Sequence, residues 1–260
     1  MPAFPDAHPR LLPAGAAKVP AATATFWLIK ILATTAGETG GDAVSMSLGL
    51  GYAAASLIFL VAFLMLLHWQ IAAPHFRRWR YWATVVASTT VGTTLADLTD
   101  RSLGLGYPGG AALLLTLLGL SLLLWKRATG SIAIASVDNP RAERLYWLTI
   151  TCSQTLGTAL GDWAADSMAL GYTGAAAVFA LGLIVVWLLY RRTGISRTAL
   201  FWAAFVLTRP LGAALGDWLD KPVDVGGLAF GRGLASALLI AAIVACVAWL
   251  PQRAAATARH

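Results

Sequence analysis

Apolar and polar positions alternate along this chain on a long period. Eight apolar runs, each long enough to be a helix, are separated by short polar or glycine-rich breaks. The first run covers about 25–48 and the second 53–67, with Gly49, Gly51 and Tyr52 at the break between them. The later runs cover about 81–103, 109–125, 146–168, 173–190, 199–220 and 229–250. A hydrocarbon core takes roughly 20 helical residues at ~1.5 Å each, and the runs are of that order. The predicted fold class is an all-α integral membrane protein with eight transmembrane helices.

The polar residues inside every second run are not scattered. Trp27, Trp82, Trp147 and Trp202 are each followed ten residues later by a glycine (Gly37, Gly92, Gly157, Gly212) and five beyond that by an aspartate (Asp42, Asp97, Asp162, Asp217). Three copies close on Leu-Gly-Tyr, ending at Tyr52, Tyr107 and Tyr172, and the fourth offers Val225-Gly226-Gly227 in its place. The aspartates are spaced 55, 65 and 55 residues apart, as two successive duplications of a helical hairpin would leave them. The repeats predicted are 23–70, 78–127, 143–192 and 198–250, with a central link at 128–142, a disordered tail at 1–22 and a polar tail at 251–260. Two spans per copy give all four copies one orientation, so they are parallel repeats. Their motif helices can then gather around a common axis.

Composition agrees with the bilayer as solvent. Apolar residues make up 58% of the chain and charged residues 12%, about half the charged share of an ordinary soluble domain. The net charge of +7 raises nucleic acid as a partner, but fourteen of the nineteen Lys/Arg lie in the tails and the links between copies. That distribution follows the positive-inside rule, puts both termini in the cytoplasm and argues against a nucleic-acid groove. No basic stretch leads into a short apolar segment with a cleavage site, so the first helix is expected to act as the insertion signal. The motif tryptophans are read as interfacial anchors. Cys152 and Cys246 belong to no CxxC and are read as packing residues.

Nine of the twelve Asp/Glu fall in or just after the repeated motif. Carboxylates in an apolar setting cost several kcal/mol, so they face the interior and find partners. Glu38, Thr93, Thr158 and Ala213 stand one turn before each motif aspartate, with Asp100, Asp220 and Asp166 one turn after. Gly37, Gly92, Gly157 and Gly212, with Gly161 and Gly216 four residues further on, let helices approach closely, which would bring the aspartates together. Facing carboxylates cannot all stay ionised unless a cation joins them or some hold protons. The donors are hard oxygens with no imidazole or thiolate, which suits a proton or a divalent Mg, Ca or Mn ion. The candidate ion-binding residues are Asp42, Asp97, Asp162, Glu38, Thr93, Thr158, Asp166 and Asp217, with Glu38, Asp42, Asp97 and Asp162 as the metal set. Asp100, Asp220 and Asp224 are expected to be solvated in the outer loops. Arg209 is expected to neutralise the fourth copy's acids internally, with a kink at Pro210, and Lys30 to snorkel or pair across the bundle.

The four-fold pattern resembles a family of bacterial membrane proteins built on a repeat of unknown function, described as uncharacterised membrane-anchored proteins. The likeness rests on the Gly-x(4)-Asp spacing and the Leu-Gly-Tyr endings and covers about 25–249. It implies an integral protein of the bacterial inner membrane made of paired-helix repeats. A second likeness is to calcium and manganese cation/proton exchangers, whose motif is Glu-x-Gly-Asp followed by a basic residue. Glu38-Thr39-Gly40-Gly41-Asp42-Ala43 has one residue more and lacks the basic one.

These readings leave three functions open. The first is a transporter or channel for a small cation, divalent or proton-coupled. The second is a non-transporting membrane scaffold or partner subunit whose carboxylates only pack. The third is a carrier of a small organic cation or metabolite, with Trp163 and Trp218 lining a pocket beside the acids. No Ser/His, Cys/His or metal-ligand constellation points to an enzyme. The partners expected are the lipid bilayer and a small cation or proton, with a homo-oligomer open. A divalent cation is the one cofactor considered.

Overall fold

Two kinds of helix follow from the two kinds of run. Those carrying the motif place Thr, Ser, Gly and charged residues on the side away from lipid, and those between them are apolar nearly all round. A computed structural model describes residues 17–256. It has eight α-helices: α1 Ala24–Asp42, α2 Gly51–Ile71, α3 Arg78–Asp97, α4 Gly106–Thr129, α5 Pro140–Asp162, α6 Gly171–Arg192, α7 Arg197–Asp220 and α8 Arg232–Trp249. Among the described residues the only β feature is an isolated bridge between Pro20 and Ala254. Five helices, α2, α4, α6, α7 and α8, are long and apolar enough to cross a membrane.

Local chemistry sets the helix ends. Thr23 caps α1 by accepting from the Phe26 amide, and Asn139 caps α5 by accepting from the Arg141 and Ala142 amides, with Pro140 opening the helix. In the first three copies the helix widens into one π-turn just after the motif aspartate, at Ala43–Ser47, Leu98–Ser102 and Trp163–Ser167. Each outer helix then starts at a glycine of positive φ: Gly51, Gly106, Gly171 and, just before α8, Gly231. The fourth copy's equivalent of Gly-Tyr is therefore Gly231-Arg232, not Val225-Gly226-Gly227. The short 3-10 turn Val223–Val225 is part of the extra loop that displaces it.

The four motif helices form a ring, α1 against α3, α3 against α5, α5 against α7, and α7 back against α1. The outer helices do not pack mainly on their own partners. Instead α2 lies on α3, α4 on α5, α6 on α7, and α8 returns to α1 to close the cycle. Leu57, Leu64, Leu115, Leu181, Val185 and Leu238 on these outer helices are exposed, and the interior is rich in threonine, serine and charge. That is the inverse of a soluble globule and the arrangement expected where lipid is the solvent.

Each motif glycine meets the residue three before the glycine of the next copy. A Cβ on Gly37 would lie 2.6 Å from Thr89 Cβ, one on Gly92 2.8 Å from Gln154 Cβ, and one on Gly212 2.5 Å from Thr34 Cβ, while Gly157 faces Arg209 and Pro210. The second glycines pack one layer further along: Gly41 on Thr93, Gly161 on Ala213 and Gly216 on Glu38. At this spacing side-chain hydroxyls reach the neighbouring backbone. Thr89 Oγ1 donates to the Ala33 carbonyl (3.0 Å), Thr93 Oγ1 to Gly37 (3.1 Å) and Thr34 Oγ1 to Thr208 (3.3 Å). Such bonds contribute about 0.6 kcal/mol each, so the close packing matters more than any one of them.

The opposite end of the ring is aromatic. Phe26, Tyr81, Tyr146 and Phe201 occupy one equivalent position and are buried, with the Tyr81 and Tyr146 hydroxyls 2.5 Å apart. Trp82, Trp147 and Trp202 sit among them at 2%, 0% and 5% exposure. They are core residues, not interfacial anchors, because ring closure turns equivalent positions toward one another. The tail expected to be disordered is ordered over 17–22. Ala21 N donates to Arg253 O and Ala255 N to Val19 O, and Lys18 forms an ion pair with the buried Glu143. Gln70 Nε2 completes that Glu143 carboxylate at 3.0 Å, so a paired strap of both chain ends lies over this end of the bundle. Residues 1–16 of the expected tail lie outside the described residues.

Gly92→Ala is expected to cost about 1–3 kcal/mol by overpacking against Gln154, read as a lower midpoint of thermal unfolding in detergent. Gly119→Ala, on α4 with open space around it, should not lower that midpoint and should raise it slightly, since Ala favours the helix over Gly by roughly 0.5–1 kcal/mol.

Candidate cation site

Five of the nineteen Lys/Arg lie outside the tails and links: Lys30, Arg101, Arg209, Lys221 and Arg232. All five enter the bundle, and they organise its acids. Arg209, wholly buried on α7, reaches across the axis. Its Nη2 lies 2.9 Å from Glu38 Oε2, donates to Thr93 Oγ1 at 2.6 Å and also donates to Thr158 Oγ1. Glu38, Thr93 and Thr158 are the same position in copies one to three, so the fourth copy's arginine is held by the other three. The expectation that Arg209 neutralises the fourth copy's own acids is thus corrected. Position fixes this: three residues before the motif glycine, Arg209 points at the axis one layer inside the aspartates.

The four motif aspartates form the next layer out, and two cations bridge them in pairs. Arg101 joins Asp97 (3.1 Å) to Asp162 (3.1 Å), and Lys221 joins Asp217 (3.0 Å) to Asp42 (2.9 Å). Arg232, at the start of α8, approaches Asp42 at 3.5 Å and Asp220 at 3.6 Å. Arg101 and Lys221 each stand four residues after their own aspartate, in Asp97-Leu98-Thr99-Asp100-Arg101 and Asp217-Trp218-Leu219-Asp220-Lys221. This Asp-x-x-Asp-basic pattern occurs in copies two and four alone and reduces the four-fold layer to a two-fold one. It was legible as an i, i+4 ion pair.

The carboxylate oxygens of Glu38, Asp162 and Asp217 lie within 4.8 Å of one another, and all three residues are buried. Two members of the sequence-based metal set, Glu38 and Asp162, are in this trio. Asp42 and Asp97 are not in it, and Asp217, which was outside that metal set, is the third member. Three carboxylates with no nitrogen or sulfur donor fit a proton or a hard divalent ion. Asp97 Oδ2 is buried and without a hydrogen-bond partner in the same layer.

Asp166 sits apart, exposed at the rim, where Tyr107 OH donates to it at 2.8 Å. Two tyrosines of the Leu-Gly-Tyr endings reach the following copy, Tyr107 through Asp166 and Tyr52 by accepting from Arg101 at 3.3 Å. Tyr107 OH also accepts from Arg101 of its own copy at 3.3 Å. Asp100 and Asp220, expected in solvent, are buried, Asp100 against Gly110 of α4 and Asp220 beside Arg232. Asp224 is exposed as expected. Lys30 points inward and pairs across the ring with Gln154 Oε1 (3.3 Å), its ammonium 4.2 Å from the Phe205 ring centre. A groove of about 680 Å³ lies at the other end of the ring, around Trp27, Trp187 and Phe201, and neither Trp163 nor Trp218 lines it.

The profile of a family described as Repeat of Unknown Function (DUF347) matches this chain four times, at 25–75, 80–131, 145–196 and 200–252. The chain belongs to that repeat family. No curated protein and no solved structure matches it. The four matches coincide with the four motif-plus-outer-helix units. In this family member the repeat is therefore one inner helix, a π-turn or loop, and the outer helix that covers the next copy's motif helix.

Arg209→Met should destabilise the protein by about 3–5 kcal/mol, because Glu38 would be left charged and buried without its partner. Adding Glu38→Gln should recover most of that loss, as read by a double-mutant cycle on denaturation midpoints.

Proposed function

We propose that this repeat-family protein crosses the bacterial inner membrane eight times with both termini in the cytoplasm. At the outer end of its inner ring it would bind a small cation, a proton or a hard divalent ion such as Mn, Ca or Mg, and carry it across. The observation that carries this reading is an imbalance of buried charge. Seven buried carboxylates (Glu38, Asp42, Asp97, Asp100, Asp162, Asp217 and Asp220) share that end with four basic groups, Arg101, Arg209, Lys221 and Arg232. Three negative charges are left over in a poorly solvated layer. Excess carboxylates at such a depth are balanced by protons or by a bound cation.

The chemistry follows from the trio. A cation seated between Glu38, Asp162 and Asp217 meets oxygens now paired with Arg209, Arg101 and Lys221, of which Arg101 and Lys221 also touch Asp97 and Asp42 and could withdraw onto them. A cation held there would offset part of the layer's surplus negative charge. Full crossing also requires opening the far end, where Lys30, Phe205 and the Phe26/Tyr81/Tyr146/Phe201 layer occupy the axis.

A second reading is favoured by a specific observation: every motif aspartate already has a basic partner within 3.1 Å. A non-transporting scaffold with a self-neutralised core would look the same. Asp162→Asn combined with Asp217→Asn separates the two. Transport predicts a loss of Mn²⁺ or proton flux in proteoliposomes of about tenfold or more. Flux no greater than that of empty liposomes in the wild-type protein would leave the scaffold reading standing, and wild-type flux in the well-folded double variant would sink the role given to this trio.

A further inference from the structure

One seam of the ring differs from the rest. Where α7 meets α1, the half nearer the chain termini is open to a groove of about 680 Å³, within the ~300–1,000 Å³ range of ligand sites. Trp27, Ile31, Leu183, Trp187, Phe201 and Ala204 line it, and Thr208 stands at its deep end. The lining is apolar, so water gains few hydrogen bonds there and does not fill it well. Its walls are α1, the last turns of α6 and the first turns of α7, and residues 133–135 of the central link close one side.

The rim has a different chemistry. Arg197 lines the groove, with its guanidinium carbon 4.1 Å from the Tyr190 ring centre. Arg191 stands over Trp187 at 5.7 Å, and Arg192 follows at the same end of α6. Trp187 and Tyr190 remain 57% and 50% exposed. An apolar trough capped by arginines and amphipathic aromatic rings matches a lipid with an acyl chain below and a negative headgroup above. Aromatic rings favour the headgroup level, arginine forks a phosphate, and basic pockets between spanning helices on the cytoplasmic side attract anionic headgroups.

We propose that this groove is a binding site for an anionic glycerophospholipid, with one acyl chain laid between α1 and the α6–α7 pair and its phosphate against Arg197. The site rests on the membrane-spanning reading and is independent of cation transport. It would cover the seam in which Thr208, neighbour of Arg209, lies buried at the deep end of the groove.

The full chain, delipidated in neutral detergent, is titrated with phosphatidylglycerol or with phosphatidylcholine while its thermal midpoint and native mass spectrum are recorded. Phosphatidylglycerol should raise the midpoint by several degrees and appear as a one-to-one adduct, and phosphatidylcholine should do neither. Arg197→Ala should abolish the preference between the two lipids. Ala204→Phe, which fills the trough, should abolish the adduct with little change in the lipid-free midpoint. Equal response to both lipids, an undiminished preference in Arg197→Ala, or a lipid-free dimer that Ala204→Phe dissociates would each overturn the proposal. A chain recovered in solution without detergent would instead overturn the membrane reading beneath it.

Discussion

Arg209 crosses the axis of a four-helix ring to a glutamate and two threonines from the other three copies, and the packing around it exists on that condition. A guanidinium with no exposure needs acceptors in every direction its donors point. Its Nη1 and Nη2 find them in the Thr34 carbonyl, Glu38, Thr93 and Thr158, while Nε is left without one, and the glycines opposite allow the helices to close to a distance that a Cβ would forbid. Gly157 makes room for the stem of Arg209 itself. The same position in the other copies holds Thr34, Thr89 and Gln154, so the four chemical choices at one site are two hydroxyls, an amide and one cation. At this repeat position a single cation is what a pseudo-four-fold bundle can hold, since four would repel and none would leave Glu38 uncompensated.

The layers along the axis then divide the labour. Aromatic rings and the two paired chain ends close one end, while Lys30, Gln154 and Arg209 make a positive middle. The carboxylates with their bridging Arg101 and Lys221 make a negative mouth. Along the axis the buried charge thus changes sign, from the carboxylates at the mouth to Lys30 and Arg209 in the middle. The two-fold pattern of bridging cations means that the four aspartates are not equivalent. Copies two and four each supply both an acid and its base, and copies one and three supply acids alone.

Much of this was legible from the period of the chain. The helices, the parallel sense of the repeats, the close-packing glycines and the convergence of Glu38, Thr93 and Thr158 follow from which residues recur at which spacing. What escaped notice depended on which neighbour each helix would meet. Trp82, Trp147 and Trp202 stand at the ends of apolar runs, as interfacial residues do, and only ring closure turns them inward. The Gly231-Arg232 equivalence was hidden by an inserted loop. Ala17 to Ala22 looks like a featureless Pro/Ala tail, because the partner that orders it, 253–255, lies at the far end of the chain. Arg101 and Lys221 could have been found, since each stands one turn beyond its aspartate.

Each outer helix covers the motif helix of the next copy, and this has a bearing on how the protein is made. During synthesis α2 can settle on α3 as soon as both have emerged, and likewise α4 on α5 and α6 on α7. The first helix to emerge has no such partner until the last one does, since α8 alone covers α1. From its insertion until α8 emerges, α1 would hold Lys30, Glu38 and Asp42 with one flank of the ring unmade. The polar core therefore cannot reach its final neutral arrangement until the C-terminal helix is in place, so a nascent chain stalled before α8 would be a natural substrate for membrane quality control.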